Sequence, residues 1–149
     1  MQTHEQLIEL VNYNEWANER IAVSLATTAV DKANAVLAHI VTTEQEYLKR
    51  FAGKDSTGFN FWPEITPPDC SGLNRRNAAS YREIVKGGED ALDRVLHYKN
   101  SRGVEYQNTI RELITHVLIH SAIHRGNIVI KMRESGYDPP ATDNLVYLR

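Results

Sequence analysis

Cysteine is nearly absent from this chain of 149 residues, with Cys70 as the single example. One cysteine cannot form an intramolecular disulfide or a thiolate cluster, which fits a reducing compartment. Any metal site must therefore be built from histidines and carboxylates. The N-terminal residues have neither a basic start nor an uninterrupted apolar core, so we expect no signal peptide and a cytoplasmic location.

Excess charge of one sign and long apolar runs are also missing. The formal net charge is −2, and no stretch gathers several lysines or arginines on one face. Nucleic acid is therefore not expected as a partner, since its binding requires a basic surface. No apolar run approaches the roughly 20 residues that span a bilayer, so no membrane partner is expected. Length and composition favour a single globular domain over residues 1–149.

Four helical segments account for most of the chain. Apolar residues recur at helical spacing from about residue 4 to 25 and from about 31 to 51. Ser71 is the N-cap expected for a third helix, which reaches about His97 and is weakened at Gly87 and Gly88. Thr109 and Glu112 form a capping box for a fourth helix, which ends near Gly136. We therefore expect an all-α four-helix bundle with a short extended C-terminal tail that packs on it.

A long connection between the second and third helices, GKDSTGFNFWPEITPPDCSG, contains three prolines and three glycines. Loops of this length in small helical domains often form lids or mouths of binding sites. Trp62 and Pro63 are therefore expected either to line a cavity mouth or to lie in a plain surface loop.

The segment HVLIHSAIHRGN places His116, His120 and His124 at intervals of four residues within the fourth helix. On a helical wheel His124 lies inside the apolar stripe, His120 lies at its shoulder and His116 lies further round. One turn separates His120 from His124, so their imidazoles could reach one metal ion. The alternative is that each is an ordinary hydrogen-bonded histidine of the core.

A third ligand would have to come from another helix, and periodicity does not select it. The candidates by residue type are His4, His39, His97 and the carboxylates. Glu44 points inward, and a buried carboxylate needs a cation or several hydrogen-bond donors. Glu44 is therefore a metal ligand, a group that orients a ligand, or the partner of an arginine.

Four further residues are candidates for supporting the ligands or lining the cavity. Asn14 and Asn18 lie one turn apart on the inward face of the first helix, where they either link helices as an amide network or face the cavity. Arg125 follows His124 and is expected to form an ion pair, with Glu44 as one partner. His116 belongs with these candidates, because it is too far from His124 to share an ion with it easily.

The sequence resembles the DinB family of damage-inducible, YfiT-like metal-binding proteins over essentially the whole chain. The resemblance is carried by YNEWANER (13–20), LAHIVTTEQEYL (37–48), HVLIHSAIHRGN (116–127) and GYDPPATDNLVYL (136–148), in that order. It implies a four-helix bundle that holds one divalent ion with three histidines, here His39, His120 and His124. Periodicity supports the last two independently, whereas His39 is implied by the resemblance alone.

Three neutral imidazoles leave coordination positions open, as in catalytic zinc sites, and nickel, iron or manganese would also accept them. Members of the wider superfamily resemble transferases that use a low-molecular-weight thiol such as bacillithiol or mycothiol. The resemblance therefore implies a metal-dependent, thiol-linked transferase or a hydrolase that acts on a small molecule. The alternative is a metal-binding stress-response or sensor protein without turnover. A carboxylate-bridged di-iron bundle is excluded, because the sequence contains no E-x-x-H motif.

The fourth helix is apolar nearly all round. Ile119, Ile123 and Ile130 point away from the inward stripe, and such a helix is either central or covered by a partner. In a four-helix bundle this pattern predicts a homodimer across the outer face of that helix.

Overall fold

The computed structural model describes residues 3–149, which are mostly helical with one small two-stranded sheet. Four helices are long and two are short, and a β-hairpin precedes the last long helix. In chain order the elements are α1 (His4–Leu25), α2 (Asp31–Phe51), α3 (Pro67–Lys86), α4 (Glu89–Leu92), β1 (Val95–Lys99), β2 (Glu105–Thr109), α5 (Ile110–Glu134) and α6 (Asn144–Leu148).

The termini of the long helices follow local capping chemistry. Thr3 caps α1 through a capping box with Gln6, and Thr109 caps α5 through the predicted box with Glu112. Gly136, at φ +86°, ends the turn after α5 in the left-handed conformation that the sequence predicts. The sequence therefore predicts α1, α2 and α5 to within a residue or two.

The third helix differs from its prediction at both ends. It begins at Pro67 with Thr66 as N-cap, whereas the prediction placed the cap at Ser71. Proline suits the first helical position because the missing N–H has no partner there in any case. The helix ends at Lys86, well before His97, and the backbone of Gly88 takes φ +87°. The two glycines thus end the helix, whereas the prediction had it continue past them.

The segment expected to complete the third helix and lead to the fourth forms an antiparallel hairpin. Val95 pairs with Thr109 at the open end, and Lys99 pairs with Glu105 next to the turn. The side chain of Asn100 accepts hydrogen bonds from the backbone N–H groups of Arg102 and Val104, which closes the turn. The chain is therefore mostly helical as predicted, but the hairpin makes a strictly all-α assignment incomplete.

The four long helices pack side by side, with α1 and α2 each lying against both α3 and α5. Two clusters of buried apolar side chains fill the interior, one around Ile21 and Ile128 and one around Leu7 and Ile114. Buried polar side chains lie between these two clusters along the helices. This polar layer consists of Asn14, Asn18, Glu44, Asn74, Asn77, Ser121 and Arg125.

The C-terminal tail is helical at α6, not extended as predicted. It does pack back on the body, because Tyr147 contacts the rings of Tyr13 and Trp16 on α1. The hydroxyl of Tyr13 also donates a hydrogen bond of 2.5 Å to the carbonyl oxygen of Thr142. Within residues 3–149, no helix combines the length and apolarity needed to cross a membrane.

Candidate metal centre

Three histidines from two helices meet beside the polar layer. His39 comes from α2, and His120 and His124 come from α5, with one ring nitrogen of each within 4.8 Å of the other two. The Nε2 atoms of His39 and His120 are 3.2 Å apart. Two imidazole nitrogens bound tetrahedrally to zinc at 2.0–2.1 Å lie about 3.3 Å from each other. The cluster therefore has nearly the spacing that a shared ion requires.

His39 is oriented by the loop that follows α2. Its Nδ1 lies 2.7 Å from the carbonyl oxygen of Phe61, which can only accept a hydrogen bond. Nδ1 therefore carries the proton and donates it, which leaves the lone pair on Nε2 facing His120. The indole of Trp62 stacks on the same imidazole, with ring centroids 3.8 Å apart and an interplanar angle of 1°. The loop thus fixes both the tautomer and the plane of His39.

The three imidazoles are held in the neutral form that metal binding requires. Burial lowers the pKa of His120 to about 4, with smaller contributions from His124, His39 and His116. Burial also lowers the pKa of His39 and of His124. No ligand would therefore need to lose a proton before it bound an ion at neutral pH.

The remaining ring nitrogens differ in how they are satisfied. Nδ1 of His124 lies 3.3 Å from the side-chain amide of Asn127, three residues further along α5. Nδ1 of His120 is buried and has no hydrogen-bond partner among residues 3–149. Since Nε2 of His120 faces His39, an ion shared by the cluster would bind at Nε2 and leave this Nδ1 without a partner.

Glu44 is the centre of the polar layer and lies outside the histidine cluster. Its Oε2 atom accepts hydrogen bonds from Asn14 at 2.9 Å, from Asn18 at 3.0 Å and from the hydroxyl of Ser121 at 2.7 Å. Of the three roles left open for Glu44, these contacts favour an indirect one. Ser121 directly follows His120 on α5. Its hydrogen bond to Glu44 therefore fixes α5 against α2 next to the histidine cluster.

Asn14 and Asn18 form the amide network that one of the two interpretations predicted. Each donates to Glu44 and accepts from Nη1 of Arg125, at 2.6 Å and 2.8 Å respectively. Arg125 has no carboxylate oxygen within 4.0 Å in residues 3–149, so it does not pair directly with Glu44. The two amide side chains lie between Arg125 and Glu44 and link them through hydrogen bonds.

The other histidines lie outside the cluster. The ring of His116 is 6.0 Å from that of His120 and 5.8 Å from that of Tyr47, measured between centroids. Burial, and then the charge of Arg50, lower the pKa of His116. His4 interacts with Glu89 at the surface, and His97 is exposed on β1.

Sequence reasoning missed several contributors to the site. The carbonyl of Phe61 leaves no trace in a sequence, because any residue provides one. Trp62 stacks on His39 from the long loop, a contact that was not predicted. Ser121 lies on the predicted inward stripe, and Asn127 lies three residues after His124, so helical spacing could have indicated both.

The fold and the site define a mostly helical protein with a three-histidine cluster that could hold a metal ion. The model of the DinB family matches residues 1–149, and the chain belongs to that family. The sequence is 25% identical to Protein DinB of Bacillus subtilis (strain 168) over 159 residues. That similarity covers 94% of this chain and 92% of the relative.

We predict that Glu44→Ala destabilises the protein strongly. The change leaves three buried donors without their acceptor and removes the charge that compensates Arg125, so we expect a loss of about 3 kcal/mol or more in the free energy of unfolding. Urea denaturation followed by circular dichroism measures it. Glu83→Ala, an exposed carboxylate on α3, is the control and should change stability by less than about 0.5 kcal/mol. A loss below about 1 kcal/mol for Glu44→Ala would show that the network does not hold the helices together.

Proposed function

We propose that this DinB-family protein binds one divalent metal ion through His39, His120 and His124. The observation that carries the proposal is the convergence of three neutral imidazoles from two helices, with Nε2 atoms of His39 and His120 separated by 3.2 Å. The orientation of His39 by Phe61, which turns the lone pair of its Nε2 toward His120, supports it further. Zinc is the ion we expect first, and nickel, iron and manganese also accept three imidazoles.

A metal-dependent reaction on a small molecule is the function this site supports best. Three ligands leave at least one position for water or substrate, and a bound divalent ion lowers the pKa of water or of a thiol placed there. The chain itself contributes a His39 ring that is held by Phe61 and Trp62, and a contact between α2 and α5 that is held by Glu44. We infer a transferase that uses a low-molecular-weight thiol, or a hydrolase, because a metal-bound thiolate is a strong nucleophile.

A metal-binding sensor or stress-response protein without turnover is the second candidate. The observation in its favour is that the cluster has no carboxylate or tyrosine among its own members to act as an acid or base. The polar groups beside it, Glu44 and Arg125, are engaged in the buried network. A test of whether the metal-loaded protein binds a small-molecule thiol therefore distinguishes the two functions.

We predict that protein purified without a histidine tag contains about one divalent ion per chain. His39→Ala, His120→Ala and His124→Ala should each reduce the content to near zero, since two imidazoles hold an ion much more weakly than three. Elemental analysis by mass spectrometry measures it. His97→Ala removes an exposed histidine on β1 and should retain the ion. Unchanged metal content in His124→Ala would show that the ligands are assigned wrongly.

We further predict that the metal-loaded protein binds a low-molecular-weight thiol. Bacillithiol, mycothiol, glutathione and coenzyme A are tested by thermal shift, each beside its S-methylated form, which cannot become a thiolate. A thiol at a hundredfold excess over its Kd should stabilise the protein by about 2.7 kcal/mol, or about 5–10 °C in Tm. The metal-free His124→Ala variant should not respond. No response of the metal-loaded protein to any of the four would favour the sensor.

We also propose that the outer face of α5 binds a second copy of this chain. Ile119, Ile123 and Ile130 share this face and are more than half exposed. Next to them, an apolar groove of about 250 Å³ lies between α1 and α5, with Leu10, Leu118 and Ile119 in its wall. A face that presents both protruding isoleucines and a groove can pair with itself about a twofold axis.

Sedimentation velocity at micromolar concentration tests the dimer. The wild-type protein should sediment with the mass of two chains, and Ile123→Glu should sediment as a monomer because it would bury a charge in the interface. Val104→Glu, at an exposed position in the hairpin turn, is the control and should remain dimeric. A wild-type monomer at these concentrations would disprove the proposal.

A further inference from the structure

Arg50, in the last turn of α2, is a buried cation that the metal centre does not use. It is only 4% exposed, and it has no carboxylate oxygen within 4.0 Å in the part of the chain that the structure describes. Its Nε atom donates a hydrogen bond of 2.7 Å to the hydroxyl of Ser56. Neither Nη atom donates to any acceptor among residues 3–149. The Nη N–H groups therefore lack the acceptor that a buried cation needs.

Aromatic rings surround this guanidinium. Its central carbon lies 4.4 Å from the ring centroid of Tyr47, 5.2 Å from that of Tyr98 and 5.8 Å from that of Phe61. Such contacts stabilise a cation, but they leave the N–H groups without acceptors. Since burying a charge without a hydrogen-bonded partner is costly, this position is stabilised most by an anion that takes up the free N–H groups.

Glu46 places a negative charge near Arg50 and is linked to it through Ser56. Its Oε1 atom accepts a hydrogen bond of 3.1 Å from Ser56, which in turn accepts from Arg50. The other oxygen, Oε2, lies 3.8 Å from Nζ of Lys49. Glu46 thus partly balances the positive charges of Arg50 and Lys49, and it makes no contact with the Nη atoms of Arg50.

Two further polar groups beside Arg50 are also unused. The hydroxyl of Tyr47 and the ring nitrogens of His116 make no hydrogen bond within residues 3–149, although the centroids of these rings are 5.8 Å apart. Together with the guanidinium they form a cluster of donors that no protein acceptor occupies. A small anion is the ligand that such a set of donors fits.

We propose that Arg50, Tyr47 and His116 form a binding site for the carboxylate of a small molecule. The planar guanidinium matches a carboxylate with two parallel hydrogen bonds. One cation with Glu46 nearby suits a carboxylate group, which carries one charge, better than a phosphate group, which carries up to two. This site is distinct from the histidine cluster, because none of its members belongs to the cluster.

The proposed carboxylate site lies next to the histidine cluster. His116 lies one turn before His120 on α5, or about 6 Å along the helix axis. The two sites therefore adjoin each other along the α2–α5 packing. A molecule whose carboxylate lies at Arg50 would extend its other end toward the histidines, and this last step alone rests on the proposed metal-binding function.

Succinate and inorganic phosphate are the probes for this site, and isothermal titration calorimetry measures their binding. The metal-loaded wild type should bind succinate, and phosphate should bind more weakly. Arg50→Met should weaken succinate binding at least about tenfold, since hydrogen bonds to charged groups are lost. Arg75→Met, which removes a largely exposed arginine on α3, should bind like the wild type. Equal affinity in Arg50→Met, or no binding to the wild type, would overturn the proposal, and tighter binding of phosphate would overturn the assignment to a carboxylate.

Two further variants make the test independent of folding and of the metal. Arg50→Lys keeps the charge but not the two parallel N–H groups, and Tyr47→Phe keeps the ring but not the hydroxyl. Both should fold, as circular dichroism reports, and both should bind succinate several-fold more weakly. Unchanged affinity in both would contradict the site even if Arg50→Met did not fold. The metal-free His124→Ala variant should still bind succinate, so failure of the metal centre and failure of the anion site are distinguishable.

Discussion

Glu44 brings three helices together at one buried oxygen atom. Asn14 and Asn18 of α1 and Ser121 of α5 all donate to the same carboxylate oxygen on α2, and Asn18 also donates to Asn74 of α3. Apolar side chains can slide past one another at little cost, whereas buried donors and acceptors lose free energy when their partners move away. The polar layer between the two apolar clusters therefore determines the register of the four long helices.

The histidine cluster depends on that register. Ser121 follows His120 and Arg125 follows His124, so both contacts of α5 with the polar layer are adjacent in sequence to candidate ligands. His39 lies on the same helix as Glu44, a little more than one turn earlier. The hydrogen bonds that position α5 against α2 thus also set the distance between His39 and the two histidines of α5.

The loop after α2 completes the site from the outside. The carbonyl of Phe61 and the indole of Trp62 hold the ring of His39, while Ser56 in the same loop accepts a hydrogen bond from Arg50. One connection therefore covers both the histidine cluster and the buried guanidinium. This explains why a small helical protein retains a long ordered loop, since its contacts maintain two polar sites that the helices alone would leave incomplete.

The sequence by itself determined the long helices and the pair His120 and His124. Helical periodicity and capping boxes are local properties, so α1, α2 and α5 and the spacing of two ligands on one helix could be read directly. His39 was accessible only through family resemblance, because its place next to α5 depends on packing between distant segments. Tertiary structure alone decided the indirect link from Arg125 to Glu44, the orientation of His39 by Phe61 and the lack of an acceptor for the Nη atoms of Arg50 within residues 3–149. The hairpin was also decided by tertiary structure. The pairing of Val95–Lys99 with Glu105–Thr109 depends on contacts between separate segments, whereas the local sequence is also compatible with a helix.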